Sequence, residues 1–504
     1  MLMKQLFARK SLSVLLKDME GDQRLKRVLG PVTLTALGVG AVIGAGIFVA
    51  TGSAANHVAG PALMVSYMVA GMTCIFAALC YAEFASMAPV AGSAYTYAYT
   101  TMGELFAWII GWDLVLEYAV GAATVANGWS GYFQSVLAKF NIVIPKVVSQ
   151  ATVIYDPKAG EFVLTGAWFN LPAVVISLIV TAILVKGISE SAGFNAVMVL
   201  VKVIAVLFVI LVGAFYIAPE NWTPFAPYGW TGLSFFGIPV AGQTDPSGQP
   251  VGMLAGAAII FFAYIGFDSV STHAEEARNP QRDVPIGIIA SLVICTVLYI
   301  AVVAVLTGMV KYDKIDVNAG VSSAFKAAGL PWAEFIIAAA GVAGITSVLL
   351  VMMLSAPRVF LAMARDGLVP KAFFADIHPK FQTPWRSTIL IGLFVSLLSG
   401  FLPIDALLHL TNIGTLFAFV IVCGAVLIMR KTNPEANRPF RCPLVPIVPI
   451  LGIACCLMLM FSLPAANWWR LIAWLALGLV IYFCYGRNHS LLGQELRQGR
   501  PPVA

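Results

Sequence analysis

Two stretches of the chain combine glycine with apolar surroundings in a way that is typical of an interrupted helix. Residues 38–48 read GVGAVIGAGIF, and residues 261–268 read FFAYIGFD. Each glycine weakens a helix by about 1 kcal/mol relative to alanine. An opened helix frees N–H groups at one half-helix end, which suit a carboxylate, and carbonyls at the other, which suit an ammonium. Together the two stretches could hold both ends of a zwitterion without a charged side chain.

A second interpretation of the first stretch is close helix packing. Gly40 and Gly44 have the four-residue spacing found at small-residue interfaces between membrane helices. The place of the two stretches in the chain favours the interruption, because each opens a block of five apolar runs. That layout is typical of an inverted repeat whose discontinuous helices meet at the bilayer midplane.

Four ionisable side chains lie inside apolar runs, where a charge is costly and a functional role is the first interpretation. Lys202 lies within VMVLVKVIA, and Asp268 ends the second stretch. Asp113 and Glu117 are four residues apart and share one helical face. We assign Lys202, Glu117 and Asp268 to proton coupling or gating. The alternatives are a lysine paired with backbone carbonyls and carboxylates that bond neighbouring helices, and Asp268 could also sense a cationic ligand.

Membrane helices must position these residues. The chain has 504 residues, is 60% hydrophobic and only 11% charged, and has a mean hydropathy of +0.89, which leaves too little polar surface for a soluble globule. A spanning helix needs roughly 20 apolar residues. About twelve runs qualify: 32–55, 61–88, 102–135, 166–186, 191–218, 251–274, 284–310, 331–364, 385–401, 405–429, 444–463 and 467–486.

The predicted fold class is therefore an all-α polytopic membrane protein with about twelve transmembrane helices, because a lone lipid-facing strand would leave its backbone groups unpaired. Helices 1 and 6 are predicted to be discontinuous within a five-plus-five inverted repeat. The predicted divisions are a cytoplasmic N-terminal arm (1–31), the first repeat (32–218), an outer loop (219–250), the second repeat (251–430), the last two helices (431–486) and a cytoplasmic tail (487–504).

Basic residues predict the orientation. With a cytoplasmic N-terminus, only seven of the 30 lysines and arginines fall in outer loops: Lys139, Lys146, Lys158, Lys311, Lys314, Lys326 and Arg470. All others except Lys202 fall on the inner side, and such an excess marks cytoplasmic loops. We predict a multi-pass protein of the cytoplasmic (inner) membrane with both termini cytoplasmic. The net charge of +6 then reflects topology and not nucleic-acid binding.

Several other kinds of site are not indicated. The eight cysteines lie in or beside apolar runs without metal-ligand spacing, and the five histidines are scattered. The glycine-rich first stretch is not preceded by a strand, which a dinucleotide loop requires. We predict no metal, no cofactor and no enzyme activity.

A family resemblance appears at the same residues. GAGIF at residues 44–48 resembles the first-helix motif of the amino acid, polyamine and organocation (APC) superfamily. FAYIGFD at 262–268, followed by EEARNPQRDVPIGI at 275–288, is similar to the sixth-helix signature of its cationic amino acid transporter branch. Further similar segments are YAE at 81–83, GSAYTY at 92–97, MARDGL at 363–368 and RPFRCPLVP at 438–446. Together these cover nearly the whole chain in the expected order.

The resemblance implies a secondary transporter of L-amino acids that works by alternating access in the lipid bilayer. Ile43, Gly44, Ala45 and Gly46 would face the substrate carboxylate. Phe262, Ala263 and Ile265 would offer carbonyls to the ammonium, with the Phe262 ring as a gate. Many relatives have a hydroxyl-bearing residue where this chain has Ala45, so one side-chain contact to the carboxylate is expected to be absent.

The resemblance also places Lys202 between helices 1 and 8, where sodium-coupled members bind an ion. We therefore expect protons, and not sodium, to be the coupling partner. A sodium-independent exchanger or facilitator, a sensor without net transport, an ion channel and a membrane-embedded enzyme remain as alternatives.

Thr346, Ser347, Met352 and Met353 are expected near the pocket, although the methionines could also face lipid or pack between helices. Glu83, Glu275 and Glu276 are expected to form an inner gate with Arg278, Arg282 or Arg365.

Overall fold

The computed structural model describes residues 2–11, 29–87, 93–156, 161–187, 191–236, 238–246, 248–272, 274, 277–317, 319–381 and 383–498. Helices account for most of these residues. They are α1 Leu2–Leu6, α2 Pro31–Val42, α3 Thr51–Ala54, α4 Leu63–Met87, α5 Ser93–Thr101, α6 Glu104–Ala138, α7 Leu171–Lys186, α8 Ser191–Gly213, α9 Met253–Ile260, α10 Ser269–Thr272, α11 Pro280–Met309, α12 Gly320–Ala327, α13 Pro331–Arg365, α14 Lys371–Phe374, α15 Trp385–Phe401, α16 Ile404–Thr432, α17 Ile447–Phe461, α18 Ala465–Ile481, α19 Arg487–His489 and α20 Leu491–Arg497.

Among the residues that the structure describes, eight helical segments are long and apolar enough to cross a membrane: Pro31–Met87, Glu104–Ala138, Val197–Tyr216, Met253–Ser271, Pro280–Met309, Pro331–Arg365, Ala406–Thr432 and Ala465–His489. Three further apolar helices are shorter: Leu171–Lys186, Trp385–Phe401 and Ile447–Phe461. The prediction of a helical, multi-pass membrane protein is confirmed at this level.

The outward faces of these helices fit a lipid environment. Along α8, Val197, Leu200, Ile204 and Leu211 are all more than half exposed. Lys202 on the same helix is fully buried. The helix therefore presents its apolar face outward and its single charge inward, which is the reverse of a soluble protein.

Short strands occur in the connections, which an all-α prediction did not include. In the described part of the chain they form three antiparallel pairs: β1 Val153–Asp156 with β2 Glu161–Leu164, β3 Leu233–Phe235 with β4 Ile238–Ala241, and β5 Gln243–Thr244 with β6 Pro250–Val251. All three lie in the connections after α6 and α8. Pairing satisfies backbone groups that these long connections would otherwise leave unbonded.

The centre of the protein is formed by α4, α6, α11 and α13. Helix α6 packs along α13 and α16, while α4 packs along α11 and α11 also packs along α2. The two interrupted segments lie between these long helices and are buried over their whole length. Rigid neighbours on all sides can thus hold irregular backbone in place away from lipid.

Candidate functional site

The first helix is interrupted after Val42, and we call residues 43–46, up to the first residue of the following helix, the first interruption. Helix α2 ends at Val42, and Ile43 has the extended backbone angles φ −71° and ψ 105°. A π-helix begins at Gly46. Among the described residues, no backbone acceptor receives the N–H groups of Gly44 and Ala45, and the first N–H groups of the new helix have no partner within it. Free N–H groups at a helix N-terminus can bind an anion.

The second interruption comprises residues 261–268. Helix α9 tightens into a 3₁₀ turn at Phe261–Tyr264, after which Ile265 is extended and Gly266 has φ +118°. That backbone region favours glycine. Asp268 Oδ1 accepts a hydrogen bond of 3.2 Å from the Gly266 N–H, so the carboxylate stabilises the turn before α10 begins.

The two interruptions touch each other. A Cβ atom added to Gly46 would lie 2.2 Å from Ala263 Cα, and one added to Gly266 would lie 2.9 Å from the Ala41 carbonyl oxygen. Glycine is therefore required at both positions by close backbone approach. The backbone at the two interruptions is consequently in direct contact at one buried place.

Glycines in the first stretch also serve helix packing, as the second interpretation proposed. A Cβ on Gly40 would lie 2.3 Å from Val199 Cγ2, and one on Gly44 would lie 2.5 Å from Val348 Cγ2. Gly40 remains helical within α2, whereas Gly44 lies in the interruption. The stretch therefore combines both functions, and the interruption is shorter than the glycine-rich sequence.

Side chains from two other helices satisfy the carbonyls at the C-terminal end of α2. The Lys202 ammonium in α8 donates a short hydrogen bond to the Gly40 carbonyl, and the aliphatic part of Lys202 packs on Gly344 of α13. The Tyr299 hydroxyl in α11 lies 2.8 Å from the Val42 carbonyl oxygen. A cation at the negative end of a helix dipole is favourable. Lys202 thus lies between α2 and α13, in the region where the sequence placed it.

The buried carboxylates belong to Asp113 and Glu117 of α6 and to Asp268 of the second interruption. Asp268 Oδ2 accepts a 2.5 Å hydrogen bond from the Tyr118 hydroxyl. In the part of the chain that the structure describes, neither Glu117 nor Asp113 pairs with a cation: both Asp113 oxygens lack a hydrogen-bond partner, and Glu117 lies beside the Thr415 hydroxyl. Glu117 is close enough to interact electrostatically with Asp268 and Asp113. Carboxylates buried without a partner are costly as anions, so they are candidates for binding a proton.

The wall of the site beside the first interruption is apolar and includes methionine side chains. Val348 packs on Gly44, and Met352 Sδ lies 3.2 Å from the Cβ position of Gly121. Met352 and Met353 are both buried, at 4% and 1% exposure. The methionines therefore do not face lipid. Met352 lines the space between α6 and α13 as a soft, adaptable surface.

Thr346 and Ser347, which were expected near the pocket, are engaged in other hydrogen bonds. Thr346 Oγ1 accepts a 2.9 Å bond from Trp129 Nε1, and the Ser347 hydroxyl donates to the Gly344 carbonyl within its own helix. Thr346 links α6 to α13 and Ser347 bonds only within α13, so their contribution to the site is indirect.

Asn412 of α16 was not singled out from the sequence but holds the second interruption. Its Nδ2 group donates to the carbonyl oxygens of Ala258 and Ile259, both at 2.8 Å. These carbonyls lie where α9 tightens, and a tightened helix end leaves acceptors that need outside donors. An asparagine inside an apolar run was the available signal, because a buried amide must find partners.

The predicted inner gate partners of Glu83 were wrong. Glu83 forms a bidentate pair with Arg430, at 2.9 and 2.7 Å, and a 3.3 Å ion pair with Arg438. The Arg438 guanidinium also donates to the Met429 and Asn433 carbonyls. It is held there because the last carbonyls of α16 need donors, so it supplies the charge that Arg278, Arg282 or Arg365 was expected to supply. Glu275 and Glu276 lie outside the described residues.

We expect Glu83→Gln to destabilise the protein. Arg438 is only 7% exposed and would lose its counter-ion, and breaking a buried ion pair from one side costs about 3 kcal/mol. Thermal unfolding in detergent should show a clearly lower midpoint. Glu220→Gln, at an exposed position in the connection after α8, is the control, and equal midpoints for the two variants would contradict the ion-pair assignment.

Comparison with known proteins gives one consistent family. A family model described as amino acid permease matches residues 29–482. The chain is 46% identical to the branched-chain amino acid permease BcaP of Bacillus subtilis, over 97% of this chain and 99% of the relative. It is 45% identical to the methylthioribose transporter of B. subtilis, over 98% and 100%. It is also 38% identical to the vacuolar cationic amino acid transporter 4 of Arabidopsis thaliana, over 84% and 66%.

These relatives are transporters and not enzymes, and they extend the resemblance carried by GAGIF and FAYIGFD to the full length of the chain. The match covers both interruptions and every long helix between residues 29 and 482. The chain belongs to the amino acid permease family of membrane transporters.

Proposed function

We propose that the chain is a secondary active transporter of L-amino acids in the cytoplasmic membrane, working by alternating access. The observation that carries the proposal is the contact between the two interruptions, where Gly46 lies against Ala263. Free N–H groups of one helix and carbonyls of another are brought to one buried place there. A zwitterion is the ligand that needs both.

In this proposal the substrate carboxylate binds at Ile43, Gly44, Ala45 and Gly46, mainly through the N–H groups of the last three. The Ile43 N–H already bonds the Val39 carbonyl, so Ile43 contributes by its position. The ammonium binds carbonyls of Phe262, Ala263 and Ile265, and the Phe262 ring closes over the site. Ala45 offers no hydroxyl, so the carboxylate depends on main-chain donors alone. Such donors are fixed by the fold and need no reorganisation when the substrate arrives.

We further propose twelve spans arranged as five-plus-five repeats over 32–218 and 251–430. Support comes from the apolar helices: the segment Pro31–Met87 contains two predicted runs, and the other long and short helices account for the remaining ten. The arm at 1–31, the loop at 219–250, the helices at 431–486 and the tail at 487–504 lie outside the repeats. Both termini are proposed to be cytoplasmic, as the basic residues indicate.

Proton coupling is proposed to involve Lys202, Glu117 and Asp268. Lys202 is fully buried and bonded to the Gly40 carbonyl, so loss of its proton would remove a charge from the end of α2. Asp268 stabilises the second interruption, and Glu117 is its neighbouring carboxylate in α6. Protonation at these groups would therefore change contacts at both interruptions.

Alternating access requires contacts that open in turn on the two sides of the site. On one side, the Tyr132 hydroxyl of α6 donates a 2.6 Å bond to the Phe48 carbonyl just beyond the first interruption. On the other, Tyr118 of α6 bonds Asp268 and Lys202 bonds Gly40. We propose that the Tyr132–Phe48 contact opens toward the outside, and that the Tyr118–Asp268 and Lys202–Gly40 contacts open toward the cytoplasm. These openings accompany the rocking of transmembrane spans 1, 2, 6 and 7 against spans 3, 4, 8 and 9, numbered as the apolar runs in chain order.

The side-chain pocket is proposed to favour neutral, apolar amino acids. Val348 and Met352 present apolar surface where Gly44 and Gly121 carry no side chain. The relative that is 46% identical is named for branched-chain amino acids, whereas others are named for cationic amino acids or methylthioribose. A valine and methionine wall gives no partner to a cationic side chain, which favours leucine-like substrates.

The proposed function is tested by uptake into proteoliposomes that contain the purified protein. The panel should include leucine, valine, methionine, arginine, lysine and methylthioribose, each with and without an inward proton gradient and with and without sodium. We expect leucine-like substrates to accumulate with the proton gradient and to be indifferent to sodium. Uptake that requires sodium would contradict proton coupling, and transport of methylthioribose without any amino acid would contradict the proposed substrate class.

A further inference from the structure

Three buried tyrosines form a cluster beside the two interruptions. They are Tyr67 of α4, Tyr264 of the second interruption and Tyr299 of α11, and their ring centroids are 5.4, 5.5 and 6.1 Å apart. All three side chains have no exposed surface. A buried phenol hydroxyl needs a hydrogen-bond partner, so the direction of each hydroxyl shows which part of the fold it holds.

Two of the hydroxyls hold helices at a distance from the substrate groups. The Tyr67 hydroxyl pairs with the Thr51 hydroxyl at 2.7 Å, and the Tyr264 hydroxyl donates to the Tyr67 carbonyl at 2.9 Å. The Tyr299 hydroxyl differs, because it lies 2.8 Å from the Val42 carbonyl oxygen and 3.0 Å from the Ala263 carbonyl oxygen. Tyr299 therefore contacts the main chain on both sides of the substrate site.

The two carbonyls have different positions in the fold. Val42 is the last residue of α2, and its carbonyl has no partner further along the helix. The Ala263 carbonyl belongs to the 3₁₀ turn whose oxygens are assigned to the substrate ammonium. One hydroxyl thus joins the end of the first half-helix to an ammonium-binding group in the sixth.

A phenol hydroxyl carries a single proton, so it can donate fully to only one of these carbonyls at a time. Each carbonyl oxygen has two lone pairs and can accept a second bond. The Ala263 oxygen can therefore receive the substrate ammonium while Tyr299 keeps its direction fixed. No charged side chain is needed to aim it.

We propose that Tyr299 is a positioning residue for the substrate ammonium, acting through the Ala263 carbonyl while tying the first interruption to the second. This inference rests on the proposed function, because it assigns a role within the proposed amino acid site. Removal of the hydroxyl leaves the ring in the cluster but releases both carbonyls. The ammonium-binding carbonyl then loses its fixed direction.

The test compares Tyr299→Phe with Tyr67→Phe, in α4 outside both interruptions, in proteoliposomes. Both variants lose one buried hydroxyl from the same cluster, but only the first loses a bond to Ala263. Uptake kinetics for leucine are measured together with inhibition by 2-hydroxy-4-methylpentanoate, the hydroxy acid that matches leucine but lacks the ammonium. Monodisperse elution in detergent shows that each variant is folded.

We expect Tyr299→Phe to raise the KM for leucine about tenfold, which corresponds to the loss of one net hydrogen bond. The kcat should change less than about threefold. The inhibition constant of the hydroxy acid should change less than about threefold, and Tyr67→Phe should behave like the unaltered protein. An unchanged KM, a loss confined to kcat, or equal weakening of leucine and the hydroxy acid would overturn the inference. If the unaltered protein transports no amino acid, the proposed function falls and this inference falls with it.

Discussion

Lys202→Met is expected to lower leucine uptake about 100-fold and to remove its response to a proton gradient. The variant leaves the buried Gly40 carbonyl without its charged donor, and a lost charge-assisted bond of about 3 kcal/mol corresponds to that factor. The methionine fills the space beside Gly344 without titrating. Initial rates in proteoliposomes, with and without an imposed pH gradient, measure both effects.

Lys202→Arg separates the charge from the titration. Arginine keeps a donor and a permanent charge but cannot be deprotonated in proteins. We expect it to retain substrate exchange at equal pH while failing to accumulate leucine against a gradient. Lys326→Met, at an exposed position in α12, is the control for loss of a lysine. Gradient-driven accumulation by Lys202→Arg at the level of the unaltered protein would contradict the titration of Lys202.

Gly46→Ala is expected to raise the KM for leucine by between about 10- and 100-fold. The added methyl would lie 2.2 Å from Ala263 Cα, and a backbone atom cannot move aside as a flexible side chain can. Overpacking of this kind costs about 1–3 kcal/mol, and here it separates the carboxylate-binding and ammonium-binding groups. Concentration dependence of uptake gives the KM.

Gly424→Ala in α16 is the matched control for this substitution. Its added methyl would meet only the end of the Met102 side chain, at 3.4 Å, so uptake should stay within about twofold of the unaltered protein. If Gly46→Ala transports leucine with an unaltered KM, the contact between the interruptions does not shape the substrate site.

The positions of the interruptions could be predicted because glycines within an apolar run mark weak points of a helix. The density of glycine around Gly44 and the residue Gly266 both marked places where helix is weak. The extent of the first interruption could not be predicted, since Gly38 and Gly40 remain in α2 and allow Ser291 and Val199 to approach. Glycine for an open backbone and glycine for close packing have the same appearance in one sequence.

The hydrogen bonds that hold the site were less visible. Tyr118, Tyr132 and Tyr299 lie in apolar runs and have the composition of ordinary core residues, yet each hydroxyl bonds a group at or beside an interruption. Their partners are far away along the chain, so spacing carries no signal. The partners of Glu83 could not be predicted for the same reason, because Arg430 and Arg438 follow it by some 350 residues.

Lys202 was easier to recognise, because a lone charge in an apolar run is costly and must have a partner. Its environment fits both interpretations offered by the sequence: it bonds a backbone carbonyl, and it lies between α2 and α13. A structural bond and a titrating role are compatible, since the bond is the contact that titration would break.

Competition against leucine uptake by analogues that lack one charged end tests the site most directly. Leucinamide keeps the ammonium without the carboxylate, and 4-methylpentanoate keeps the carboxylate without the ammonium. If main-chain groups at both interruptions bind the zwitterion, each analogue should inhibit at least about 10-fold more weakly than unlabelled leucine, because each loses a charge-assisted interaction of about 1.5–3 kcal/mol. Inhibition by either analogue within about threefold of leucine would contradict binding by both interruptions.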